Sequence, residues 1–235
     1  MILAITQARF GSKRLPGKVL REIDGKPVLQ IHLERLKRSK MIDRIVVATT
    51  FEPEADSILS VAQKMGISTF QGSTTDVLER YYTCAVENDP KYIVRVTSDC
   101  PLIDPAEIDN LVNFFLRSAS DYGTNSFKPT FPDGVDVEIF TLECLKKTHQ
   151  SATSPEDREH VSPYMLRNST LSGAGIFNGC SYAEPFDFFN YRLTLDTQTD
   201  FDNIRVLIEN LGDKKGWKEY VEFIDKNIDL FDNIK

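Results

Sequence analysis

The first 120 or so residues alternate between two hydrophobic periods, and that alternation leaves few folds open. Residues 1–6 (MILAIT) form a short apolar run that reads as a buried strand. Residues 27–39 follow, with Pro27 suited to a first helical turn and Val28, Leu29, His32, Leu33 and Leu36 at helical spacing. RIVVATT (44–50) is β-branched and reads as a second buried strand. Pro53 opens a helix expected to reach Met65, where Gly66 stops it. ISTF (67–70) is a short strand, 75–87 a helix, YIVRVTS (92–98) a third long strand, and Pro105 starts a helix to Ser118. This order predicts an α/β fold with a mainly parallel sheet covered on both faces.

The alternation breaks after Asp121. Residues 121–190 hold short β-like pieces (VDVEIF, LSGAGIF), a Pro132-Asp133-Gly134 turn and two short helices at 141–150 and 156–167. Such an excursion suits a lid over a substrate, a dimer arm, or both. A strand is expected to return at 191–196 (YRLTLD), followed by helices at 199–211 and 216–229. A chain of 235 residues suits one domain, 1–235, with 121–190 as its excursion.

A net charge of −7 argues against broad nucleic-acid binding but leaves room for a local basic loop. Cys84, Cys100, Cys144 and Cys180 are scattered with no C-x-x-C pair, which argues against a zinc site and for reduced thiols. No run approaches ~20 apolar residues and no signal-peptide layout is seen, so a cytoplasmic protein without a membrane partner is expected.

Three segments carry chemistry. The first, Gln7-Ala8-Arg9-Phe10-Gly11-Ser12-Lys13-Arg14-Leu15-Pro16-Gly17-Lys18, puts four cations, two glycines and a serine directly after a buried strand. Ligands of open α/β sheets bind at strand carboxyl ends, glycines let backbone N–H groups approach a phosphate, and Arg and Lys neutralise it. It matches neither a Walker A loop nor a dinucleotide fingerprint. The second, TSDCPLID (97–104), places Asp99 just past a strand, where a carboxylate can hold Mg²⁺ against triphosphate oxygens; Asp104, before Pro105, reads as an N-cap. The third, LTLDTQTDF (193–201), repeats the pattern with Asp196, while Asp200 suits the first turn of a helix. Two strand-end aspartates facing a basic loop make a Mg²⁺–triphosphate constellation.

ITQARFGSKRLPGKVL, DGKPVLQ, VTSDCPLID and LTLDTQTDF, in this order and spacing, resemble the cytidylyltransferase family that activates acidic sugars such as ketodeoxyoctulosonate and the nonulosonic acids. DVLERYYTCA, FPDGVDVEIF and EDREHVSPYMLRN resemble its spore coat polysaccharide biosynthesis protein F branch, and the resemblance runs to about residue 211. It implies a nucleotide-diphospho-sugar transferase fold, Rossmann-like with a small antiparallel excursion. It places Arg9, Ser12, Arg14 and Lys18 in the triphosphate loop and Asp99 and Asp196 on Mg²⁺. Thr97 stands where ketodeoxyoctulosonate enzymes carry a glutamine near the base, and Ser98 replaces a usual glycine, so base and sugar choice rest on fewer residues than the reaction class.

The implied reaction is attack of a sugar hydroxyl on the α-phosphorus of CTP with release of pyrophosphate, for surface polysaccharide synthesis. Arg9, Lys18, Asp99 and Asp196 would carry it, with Gln7, Ala8, Gly11, Ser12, Arg14, Asp76 and Thr97 about the nucleotide. Asp76 either touches the nucleotide edge or pairs with Arg80 one helical turn on. Asp133, Asp136 and Glu138 suit sugar hydroxyls, the last two on one strand face by period two, or a turn and a solvated face. Arg158 is a candidate for a substrate carboxylate and His160 for a proton carrier, each against a structural role. His32 and Trp217 read as packing residues. A homodimer through 121–190 is expected, helped by Phe186, Phe188 and Phe189. The alternatives are another nucleotide or a sugar-phosphate acceptor, a glycosyltransferase (although no mid-chain Asp-x-Asp is present) and a non-catalytic nucleotide sensor.

Overall fold

The computed structural model describes residues 1–12 and 14–235; Lys13 of the basic loop lies outside the described residues. In chain order the elements are β1 (Ile2–Gln7), β2 (Glu22–Ile23), β3 (Lys26–Pro27), α1 (Val28–Leu36), β4 (Arg44–Thr50), α2 (Ala55–Lys64), β5 (Ser68–Gly72), α3 (Val77–Asn88), β6 (Tyr92–Thr97) and α4 (Pro105–Ser118). There follow β7 (Tyr122–Thr124), β8 (Glu138–Thr141), α5 (Leu142–Ser151), α6 (Pro155–His160), α7 (Pro163–Arg167), β9 (Gly179–Ser181), α8 (Gln198–Leu211) and α9 (Trp217–Lys226).

Seven strands form one sheet in the order β5-β4-β1-β6-β8-β7-β9, and β2 and β3 make a separate hairpin. β5, β4, β1 and β6 are parallel, β8 is antiparallel to both β6 and β7, and β9 returns parallel to β7. β1 is central because it is apolar on both faces. Ala4 joins Leu29, Val47 and Val94 in one core cluster, and Leu3 and Ile5 join Val46, Tyr81 and Phe140 in another. Each such fully buried aliphatic side chain contributes roughly 1.5–3 kcal/mol. A third cluster, around Leu193, Leu195, Ile204 and Trp217, anchors the C-terminal helices.

The mainly parallel sheet and its antiparallel excursion are as expected. Three local readings are corrected. Residues 191–196 are not a strand of the sheet; they run extended with one bridge, Arg192 to Asp133. Gly134 makes that approach possible, since its φ is +106° and a Cβ would lie 2.5 Å from the Leu193 carbonyl carbon. The stretch 156–167 is two helices, because the chain turns at Val161 (φ 71°) and Pro163 cannot donate to a continuing helix. In the excursion, the strand expected within 171–177 lies at β9, two residues further on, and β8 takes only the end of VDVEIF.

His32 is fully buried on α1, as expected of a packing residue. Its Nδ1–H donates to the Cys100 carbonyl (2.9 Å) and its Nε2 accepts from the Thr6 hydroxyl (3.0 Å), which requires a neutral ring. Burial holds its pKa down to about 4. An unfolded histidine titrates near 6.5. Between these values the unfolded chain binds the extra proton, so stability is complete above about pH 6.5 and falls as pH drops toward 4. Urea melts should show about 2 kcal/mol of wild-type stability lost to this ring between pH 7 and pH 5. His32→Gln should lose that part of the slope; an unchanged slope in the variant would show that His32 does not titrate on unfolding.

Candidate active site

The site forms where β1 and β6 end side by side. After β1 the loop folds back on itself, with Ser12 and Gly17 N–H both donating to the Phe10 carbonyl (2.8 and 2.9 Å). Gly17, left-handed at φ 67°, then starts a single 3₁₀ turn over Lys18–Leu20 that sends the Lys18 side chain inward. Its ammonium donates to Asp99 Oδ2 (2.8 Å), Asp196 Oδ1 (3.0 Å) and the Leu195 carbonyl (2.8 Å). A lysine has three donors, and all three are used. The two carboxylate oxygens share one nitrogen, so they lie no further apart than the sum of those distances.

The electrostatics follow from that contact. Burial alone would lower the Lys18 pKa, but Asp99 and then Asp196 raise it above its ordinary value. Burial would raise the Asp99 carboxyl; the Lys18 ammonium overcomes this and holds it below the usual range. Arg14 also reaches Asp196 Oδ1 (2.9 Å), but its side chain is 65% exposed, where such a pair contributes little.

A cavity of about 430 Å³ opens beside this cluster. Gln7, Ala8, Arg9, Ser12 and Arg14 line it from the first loop, Thr97, Ser98 and Asp99 from the end of β6, and Lys18 and Asp196 close one side. Arg80 and Arg95 complete the wall, giving five cations around one cavity in an acidic protein. Behind this lining three buried polar atoms, Gln7 Oε1, Arg80 Nε and Arg95 Nε, have no partner among the described residues.

A second cavity, about 590 Å³, adjoins the first and shares Arg95, Thr97 and His160 with it. Asp136, Glu138 and Tyr122 line its sheet side and Glu156 and Arg167 its helical side. Glu138 is fully engaged, accepting from Arg95 (2.6 Å) and from the Tyr122 hydroxyl (2.7 Å). Asp136 is open to the cavity, yet the protein around it desolvates its carboxylate, and with Asp133 nearby its pKa is pushed up to about 6.

Of the residues singled out in the sequence, Gln7, Ala8, Arg9, Ser12, Arg14, Lys18, Thr97, Asp99, Asp196 and His160 come together at the first cavity. Asp136 and Glu138 reach the second, although Asp136 precedes the strand ladder. Gly11, Asp76, Asp133 and Arg158 line neither. Asp76 caps α3, accepting from Glu79 N–H (2.9 Å), and its partner is Arg158 Nε (2.8 Å), not Arg80. Arg80 donates instead to the Ser73 carbonyl. Asp133 accepts from Arg192 (2.6 Å). Asp104 is the N-cap of α4 and Asp200 lies in the first turn of α8, both as read, the latter in a capping box with Thr197, and Trp217 is buried with its indole N–H on Glu107 (3.1 Å). Phe188 packs on Trp217, whereas Phe186 and Phe189 stay exposed. Sequence reasoning missed Arg95 and Arg192. Arg95 had a signal, a single charge inside the apolar run YIVRV.

The acid pair presents a donor set that a metal ion can use. Two carboxylates converge on a position that a cation, the Lys18 ammonium, already takes, beside a backbone carbonyl. Hard oxygen donors of this kind suit Mg²⁺, which needs only one or two carboxylates when phosphates supply the rest. No group of three or more His, Cys, Asp or Glu that would hold a metal alone occurs among the described residues. Among those residues no helix is long and apolar enough to cross a membrane.

The chain is 31% identical over 236 residues to the spore coat polysaccharide biosynthesis protein SpsF of Bacillus subtilis, covering 97% of this chain and 95% of that one. Its structure is similar to that of a cytidylyltransferase from Leptospira borgpetersenii, with a TM-score of 0.92, 36% identity, and coverage of 100% and 98% of the two chains. The fold is also that of CMP:2-keto-3-deoxy-manno-octonic acid synthetase solved with CTP, at a TM-score of 0.64, 19% identity and 89% and 98% coverage. The model of the cytidylyltransferase family matches residues 3–223, a span that contains the basic loop, both aspartates and both cavities, and the chain belongs to that family.

Proposed function

We propose that this protein transfers CMP from CTP to a hydroxyl of a sugar acid and releases pyrophosphate, supplying an activated sugar for surface polysaccharide synthesis. The observation that carries this is the convergence of Asp99 and Asp196 on one cation position at the mouth of an arginine-lined cavity. Relatives whose names refer to polysaccharide biosynthesis and to an octonic acid synthetase bound to CTP support the choice of nucleotide and acceptor.

In this reading Arg9 and Arg14 hold the phosphates with the charges of Arg80 and Arg95 behind them, and Gln7 and Thr97 face the rest of the nucleotide. Asp99 and Asp196 would hold Mg²⁺, whose charge offsets that of the phosphates and favours an ionised acceptor hydroxyl. The acceptor occupies the second cavity, where Asp136 receives its hydroxyls and Glu138, engaged by Arg95 and Tyr122, holds those two side chains in the wall. Binding side by side fixes the attacking oxygen near the α-phosphorus, which is where much of the barrier of such a reaction is saved. The test is to offer CTP, UTP, GTP and ATP with Mg²⁺ and a panel of ulosonic acids and sugar phosphates, and to follow pyrophosphate. Release is expected only with CTP and an acid acceptor. Release with a sugar phosphate alone would overturn the acceptor assignment, and preference for another nucleotide the donor assignment. A homodimer belongs to the same proposal, with exposed Phe186 and Phe189 as its surface; a monomer by light scattering at micromolar concentration would remove it.

A further inference from the structure

Asp196 sits on a segment that the sheet does not hold. Between residues 191 and 196 the only ladder contact among the described residues is the bridge at Arg192, and backbone bonds tie the segment to three separate loops, Arg192 N–H to the Ile234 carbonyl (2.9 Å), Leu193 N–H to that of Asp133 (2.6 Å) and Leu195 N–H to that of Asp99 (2.8 Å). These bonds fix the backbone but do not set the rotamer of the Asp196 side chain, so keeping one carboxylate oxygen aimed at the Lys18 position takes a side-chain restraint. Arg192 provides it. Its Nη2 donates to Asp196 Oδ2 (3.0 Å), the oxygen that does not face Lys18. Its Nε donates to Asp200 Oδ1 (2.8 Å), and its Nη1 to Asp133 Oδ2 (2.6 Å).

The three partners are not equivalent. Asp200 is 6% exposed and rigid, because its Oδ2 also accepts the N–H groups of Asp196 (2.9 Å) and Thr197 (2.8 Å) at the capped start of α8. Asp133 belongs to the turn that leads into Asp136 of the second cavity. Arg192 itself lines neither cavity. It therefore acts through its partners, and its planar fork meets three carboxylates at once, which a lysine cannot do.

We infer that Arg192 is a positioning residue that braces Asp196 against the start of α8, turns its other oxygen toward the shared cation position, and ties the acceptor-side turn to the same brace. This rests on the reading of Asp99 and Asp196 as metal ligands. Partners of metal-binding carboxylates are worth ~10–100-fold in metal affinity. Loss of Arg192 should therefore weaken metal binding while leaving nucleotide binding to the basic loop intact.

The experiment is Mn²⁺ binding by electron paramagnetic resonance in the presence of CTP, beside calorimetric CTP binding in EDTA and a melting curve, for wild type, Arg192→Gln, Arg192→Lys and Asp196→Asn. Arg192→Gln is expected to lose ~10-fold or more in Mn²⁺ affinity with metal-free CTP binding within about twofold, and Arg192→Lys to fall between it and wild type. Arg192→Lys keeps the charge and safeguards the test if the glutamine variant does not fold. Wild-type Mn²⁺ affinity in either folded Arg192 variant, or an equal loss of Mn²⁺ and metal-free CTP binding in both, would overturn the inference. Asp196→Asn separates the two levels: if it keeps Mn²⁺ binding, the metal reading fails and this inference falls with it, whereas loss in Asp196→Asn without loss in the Arg192 variants removes the brace alone.

Discussion

Asp99→Asn and Asp196→Asn should each lower pyrophosphate release by ~100-fold or more while the protein stays folded. Neutralising charge on the transferring phosphates is worth several kcal/mol, and each 1.36 kcal/mol is a factor of ten. The amide keeps the size of the side chain and removes its charge, so the loss falls on the metal position. The fold should survive, because Lys18 keeps the other carboxylate and the Leu195 carbonyl as acceptors in each variant. A stability loss of about 1.5–3 kcal/mol is expected for the weakened charged contact. Near-normal Mg²⁺-dependent turnover in a folded Asp99→Asn or Asp196→Asn protein would show that the residue is no required ligand. CTP binding in EDTA should change little, since Arg9, Arg80 and Arg95 are untouched.

Lys18→Met should cost about 3 kcal/mol of stability and most of the turnover together. In sequence Lys18 belongs to a loop expected to grip phosphates, but its three donors all end on protein acceptors. Its ammonium is also 11% exposed at the side chain, so little water is available to replace it. Removing it leaves two carboxylates facing each other, and breaking a buried ion pair from one side typically costs ~3–5 kcal/mol. Partial exposure of Asp99 and Asp196, at 30% and 20%, and the nearby Arg14 guanidinium place the expectation at the low end. The distinguishing measurement is a melting curve with and without millimolar Mg²⁺. Mg²⁺ should raise the variant's Tm more than that of the wild type, because a divalent ion can take over between the carboxylates. A variant that melts like wild type, or one that Mg²⁺ does not rescue, would remove Lys18 from its place as counter-ion of the pair.

Much of this site is legible in the sequence. Strand ends can be read from periodicity, and a functional side chain one or two residues past a strand end is carried to the same sheet edge as its neighbours. Hence Arg9 and Asp99, each two residues past a strand end, are grouped from strands read locally, and Ser12 and Lys18 join them through the basic loop that Arg9 begins. Arg95 escaped because a charge within an apolar run looks like an exception to burial, and only the paired Glu138 and Tyr122 explain its presence there. Arg158 and Asp133 looked free for a sugar because the groups that occupy them are far away in the chain.

By itself the sequence determined the α/β layering, the burial of the first strand, the basic loop, the helix cap at Asp104 and the first-turn place of Asp200, since each depends on periodicity or on contacts within a few residues. Tertiary structure alone decided which charges meet. Lys18 lies 81 residues from Asp99 and 178 from Asp196, and Arg158 lies 82 from Asp76. No local rule ranks partners at that separation. They are chosen when strand order brings their segments to one edge and burial makes an unpaired charge too costly to leave.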